Sequence, residues 1–135
     1  MNVYIEHVQL ESIKGIKNNI CSLQVAVNSF VFTLRNGNVY YIDLDKPSTI
    51  HSVKIPLVEN TETSKERIIT TWLNNKGTKL FVKTNFANYY LIELEELIIR
   101  KENNKQKCIY IVKNLPKRDC DIRYVQWLDT HKLIC

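Results

Sequence analysis

Glycine and proline are scarce, three of each in 135 residues. That scarcity excludes collagen-like repeats and flexible linkers, and it leaves nothing for a phosphate-cradling loop. Cysteine is almost as sparse: Cys21, Cys108, Cys120 and Cys135 lie far apart, with no Cys-x2-Cys pair. Neither a disulfide scaffold nor a zinc site is expected, and the thiols read as reduced and cytoplasmic. No apolar run approaches the ~18 residues of a spanning helix. The richest stretch, Tyr89 to Ile99, is broken by Glu93, Glu95 and Glu96, and the start from Met1 to His7 lacks the basic flank and apolar core of a secretory signal. His7, His51 and His131 are dispersed, and no Gly-x-Ser-x-Gly elbow occurs. The carboxylates that do cluster (Asp43 with Asp45; Glu93 with Glu95 and Glu96; Asp119 with Asp121) flank strand-like segments or the Cys120 neighbourhood, where solvated acids are common. No catalytic group, cofactor, metal or small-molecule substrate is expected, so the chain reads as non-enzymatic.

What is present is strand. Hydrophobic residues make up 44% and charged residues 24%, the balance of one soluble globular domain. Short segments rich in β-branched and aromatic residues, bounded by turn residues, recur along the chain. They run over Ile20–Val27, Phe30–Arg35, Asn38–Asp43, Ile50–Ile55, Arg67–Leu73, Lys79–Thr84, Tyr89–Leu94, Lys107–Lys113 and Asp121–Leu128. Asn36-Gly37 predicts a type I′ hairpin turn, because both residues tolerate positive φ. Asn74 to Gly77 predicts a similar turn. Glu93 to Lys105 competes as a helix, with Glu96 and Arg100 four apart, but it lacks capping signals.

The strands repeat. Residues 30–44, FVFTLRNGNVYYIDL, align without a gap on residues 80–94, LFVKTNFANYYLIEL, at an offset of 50. Asn38/Asn88, Tyr40/Tyr90, Ile42/Ile92 and Leu44/Leu94 are identical, and Tyr40, Ile42 and Leu44 alternate along one strand face, as their copies do. A third copy begins at Gln126-Trp127-Leu128, which resembles Thr71-Trp72-Leu73 at an offset of 55, followed after a turn by an offset of 53. Trp72 and Trp127 therefore read as equivalent core residues, one per unit. Units of a few strands recurring every ~40–50 residues mark propeller blades. The expectation is an all-β fold of antiparallel, propeller-type sheets: about two blades, roughly 20–60 and 67–115, and a truncated third over 121–135. Such an arrangement reads as a partial propeller, a fragment whose open edges favour self-association.

Charge is the uneven feature. Between Arg100 and Arg118 stand seven bases and one acid, a net +6 in a chain of net +5. Lys101, Lys105, Lys107, Lys113 and Lys117 are the candidate contacts to an anionic lipid surface. The same charge, with Tyr89, Tyr90, Tyr110 and Tyr124 as stacking platforms, fits a basic nucleic-acid-binding β domain. A solvated loop and a lysine-protected strand edge explain it equally.

The order of several motifs carries a resemblance. Ile5-Glu6-His7-Val8-Gln9-Leu10 precedes Cys21-Ser22-Leu23-Gln24-Val25 and Tyr40-Tyr41-Ile42-Asp43-Leu44. Trp72-Leu73-Asn74-Asn75-Lys76-Gly77 leads to Tyr89-Tyr90-Leu91-Ile92, and Asp121-Ile122-Arg123-Tyr124-Val125-Gln126-Trp127 closes the set. Together they resemble the amino-terminal β-propeller of the deep orange family of vacuolar protein sorting-associated proteins, in its fungal form. The resemblance implies a class C core subunit of the HOPS and CORVET tethering complexes, acting in docking and fusion at endosome and vacuole. It implies other class C subunits as partners, peripheral association with late endosomal or vacuolar membrane from the cytoplasm, and no nucleic acid. The solenoid and RING-type zinc domain of such proteins have no counterpart in these 135 residues.

Overall fold

The computed structural model describes residues 19–46, 49–61, 64–95, 112–115 and 122–134. Four strands, β1 (Ile20–Val25), β2 (Ser29–Leu34), β3 (Asn38–Asp43) and β4 (Ile50–Lys54), form an antiparallel sheet in chain order. After a small hairpin of β5 (Glu59–Thr61) and β6 (Ser64–Lys65), a second sheet repeats the plan. It comprises β7 (Ile68–Leu73), β8 (Lys79–Thr84), β9 (Tyr89–Glu93) and β10 (Val112–Leu115). A final hairpin pairs β11 (Gln126–Trp127) with β12 (Leu133–Ile134). The all-β, antiparallel expectation holds. Of the strand expected over Lys107–Lys113, residues 107–111 lie outside the described residues and the rest falls in β10, while the strand expected over Asp121–Leu128 is observed only as β11. Of the helical alternative over Glu93–Lys105, Glu93 ends β9, Leu94 and Glu95 have helical backbone, and 96–105 fall outside the described residues.

The repeat extends to individual hydrogen bonds. At the offset of 50, Leu44 N donates to Asn28 O at 3.0 Å and Leu94 N to Thr78 O at 2.8 Å. Gly37 N donates to Leu34 O and Ala87 N to Thr84 O, both at 3.1 Å. The first strands correspond at an offset of 48, with register shifts between Ile20 and Ser22 and between Ile68 and Thr70.

The turn between β2 and β3 is not type I′. Gly37 has φ 101°, but Asn36 is not among the positive-φ residues. Asn36 Oδ1 accepts from Asn38 N at 3.2 Å, a local side-chain bond of the kind Asn makes in turns. Three residues, Arg35 to Gly37, connect the strands, and only the last needs positive φ, as in the bulged three-residue loop. A Cβ at Gly37 would stand 2.8 Å from Ile55 O.

Both faces of each sheet are occupied. Val31, Val39 and Tyr41 of the first sheet pack on Leu80, Val82, Tyr90 and Ile92 of the second, with Ile68 and Leu94 completing the seam. Alternation sends the neighbouring side chains the other way: Phe32, Leu34 and Ile42 cluster on the back of the first sheet, where Phe32 and Tyr40 stack at 4.8 Å. Phe81 and Tyr89 leave the second sheet toward Ile122 and Val125 of the third unit. Residues equivalent at the offset of 50 thus take equivalent faces. Fully burying an aliphatic side chain of this size contributes about 1.5–3 kcal/mol, so the seam is the main apolar term joining the two sheets.

In the third unit the register corrects one sequence reading. Trp127 pairs with Leu133, as Leu73 pairs with Leu80, whereas Trp72 pairs with Phe81. Trp127 therefore corresponds to Leu73, at an offset of 54, and not to Trp72. The two tryptophans face opposite ways along the stack, and both end in the same cluster because they meet across it.

Candidate functional site

The first strands of the three units come together, β1 against β7 and β7 against β11. Polar side chains bridge them. Ser22 Oγ and Thr71 Oγ1 share a hydrogen bond of 2.6 Å, and Gln24 Nε2 donates to Thr71 O at 2.8 Å. Cys21 Sγ donates to Ile68 O at 3.4 Å; burial pushes this thiol up, and the positive charge of Arg35 partly opposes the shift. On the next seam, Trp127 Nε1 donates to Trp72 O at 3.0 Å, and the buried Lys83 donates through Nζ to Ile122 O at 2.6 Å. Alternation puts Ser22 and Gln24 on the face toward β7, and the register shift between Ile20 and Ser22 lets Cys21 reach the same neighbour.

The connection between the two sheets is held by Glu66, only 3% exposed. Its Oε1 accepts from Val58 N at 3.0 Å and its Oε2 from Thr84 Oγ1 at 2.7 Å and from Asn88 Nδ2. Burial raises the Tyr90 phenol above its ordinary value, and the charge and hydrogen bond of Glu66 add to the rise. No sequence signal singled out Glu66, because an acid between Lys65 and Arg67 reads as one more surface charge.

The lysines read as candidate lipid contacts fall mostly outside the described residues. Lys101, Lys105, Lys107 and Lys117 lie outside them, and Lys113 is placed only by its backbone, in β10 opposite Leu91. The repeat residues are all described. Ile42, Ile92 and Leu94 are fully buried and Tyr90 nearly so, while Tyr40, Leu44, Trp72 and Trp127 are half-buried. Of the tyrosines read as stacking platforms, Tyr89 is buried, with its hydroxyl accepting from Ile122 N at 2.9 Å, and Tyr124 is exposed. Tyr110 falls outside the described residues. No group of three metal-ligating side chains occurs among the described residues.

Consecutive antiparallel four-stranded sheets, packed face to face through their first strands, define this as a protein of the β-propeller class. The chain belongs to the Pep3/Vps18/deep orange beta-propeller domain family, which matches residues 1–135. The chain is also similar to the coatomer subunit gamma of Saccharomyces cerevisiae, at 24% identity over 119 residues. The similarity covers 87% of this chain but only 12% of that much longer relative.

Proposed function

We propose that the chain serves as a non-enzymatic scaffold in a HOPS- or CORVET-like tethering complex, acting in vesicle docking and fusion at endosomes and vacuoles. The observation that carries this reading is the family match over the whole chain. The fold suits the role: rigid stacked sheets present loops for protein contacts, the usual use of such scaffolds. The similarity to a coatomer subunit is likewise to a protein named as part of an assembly. Association with membrane would be peripheral, from the cytoplasmic side; among the described residues no helix is long and apolar enough to cross a bilayer.

The test is affinity capture of the tagged chain from lysate, with and without nuclease. Recovery of other class C subunits, unchanged by nuclease, is the expected result. Recovery of RNA alone, abolished by nuclease, would overturn the scaffold reading in favour of a nucleic-acid-binding β domain.

A further inference from the structure

The strands run so that every unit has two ends, and their charges differ. At one end lie the β2–β3 and β8–β9 turns and the segments leading into β7 and β11. At this end Arg35, Lys54, Lys65, Arg67 and Arg123 are all exposed. None of the five is in an ion pair among the described residues. The one acid described there with its side chain, Glu66, is buried and engaged by its donors. At the opposite end, Asp43, Asp45, Glu93, Glu95 and Asp129 stand among Lys46, Lys76 and Lys132, so the signs are mixed.

The cationic end is also held in place. Ile68 N donates to Arg35 O at 3.1 Å, linking the turn of one sheet to the first strand of the next. Arg67 N donates to Asn85 Oδ1 at 2.8 Å, Asn85 N returns a bond to Arg67 O at 3.0 Å, and Asn85 Nδ2 donates to Lys65 O at 3.1 Å. The turn carrying Arg35, the segment carrying Lys65 and Arg67, and the β8–β9 turn at Asn85 are therefore fixed relative to one another. Between them Ile20, Ile69 and Tyr124 expose 45%, 49% and 65% of their surface.

We propose that this end docks an acidic segment of a partner protein. Exposed cations gathered at one end supply charge complementarity, and three of the five are arginines, whose planar forks match carboxylates. Arginine interleaved with an aromatic and β-branched residues is the composition of a protein interface. The proposal rests on this placement of charge and stands whether or not the tethering reading holds.

The test uses the whole chain and a short fluorescent peptide of Asp, Glu and Leu, with its Asn/Gln counterpart as control, read by anisotropy. Binding of the acidic peptide alone is expected, weakening as salt rises from ~0.05 to ~0.3 M. Combined Arg35→Gln, Lys65→Gln and Arg67→Gln should weaken it at least about tenfold, while Lys76→Gln with Lys132→Gln at the far end leaves it unchanged. Both variants should keep the wild-type circular dichroism, since all five sites are exposed. Equal loss in the far-end variant, or no peptide binding at all, would overturn the proposal. So would capture by phosphatidylserine vesicles or single-stranded RNA without capture by the peptide.

Discussion

The indole of Trp127 donates its N–H to the carbonyl oxygen of Trp72 at 3.0 Å, binding β11 to β7 through the backbone of one tryptophan and the side chain of the other. The two residues are unequal partners. Trp72 contributes an atom that every residue has, and its ring packs on Phe81 with centroids 5.8 Å apart. Trp127→Phe should therefore cost about 1 kcal/mol from the lost hydrogen bond, whereas Trp72→Phe keeps the acceptor. Hydrogen exchange checks this. Amides of the third unit should exchange faster in Trp127→Phe, with β8 and β9 unaffected.

Ala87 occupies, with φ 56°, the turn position that Gly37 fills in the first sheet. An L-residue there costs about 1 kcal/mol, partly offset by the extra chain entropy that glycine loses on folding. Ala87→Gly is expected to stabilise by up to about 1 kcal/mol. Gly37→Ala should destabilise by about 1–3 kcal/mol, because strain adds to the contact with Ile55 O. Urea denaturation of both variants measures the pair, and a gain from Gly37→Ala would contradict the turn geometry.

Glu66 accepts hydrogen bonds at both carboxylate oxygens. Glu66→Gln replaces one acceptor by a donor that faces another donor, at a cost of about 1–3 kcal/mol. Equal urea midpoints for variant and wild type would show that the connection between the sheets does not depend on this side chain.

Tyr90 gives stability an alkaline limb. Its phenol is raised above the ordinary 10.0 by burial first and then by Glu66. Below that value both folded and unfolded chains hold the proton, and the contribution is fully present. Above it the unfolded chain loses the proton first, so stability falls as pH rises toward the folded-state pKa. Tyr90→Phe should flatten this limb in thermal melts taken on either side of pH 10.0.

The offset of 50 was legible because β2, its turn and β3 have the same length as β8, its turn and β9, so identities such as Tyr40/Tyr90 stay in register. It also gave the faces, since strand alternation needs only parity. The tryptophans misled for the same reason. Trp72 and Trp127 match as letters, but a slip of one residue reverses the face, and only the pairing with Phe81 or Leu133 reveals it. Asn36-Gly37 announced a turn correctly, but its type depends on which of the two takes positive φ, and only Gly37 does. Glu66 and the cationic end escaped notice because both depend on which ends of distant strands come together. The run of lysines that stood out in sequence is mostly outside the described residues.

The seam between sheets is polar in direction. What Val31 and Tyr41 present forward is met by what Leu80 and Tyr90 present backward, so the two sheets contribute different faces to the seam. Two like faces laid together would oppose unlike patterns of bulk and hydrogen bonding. Contacts of this kind are heterologous, and under a constant rotation they advance around an axis in one sense, closing as a ring or continuing as a spiral. A twofold dimer through these faces is disfavoured, so any partner that extends the stack must arrive with the complementary face and the same sense of travel.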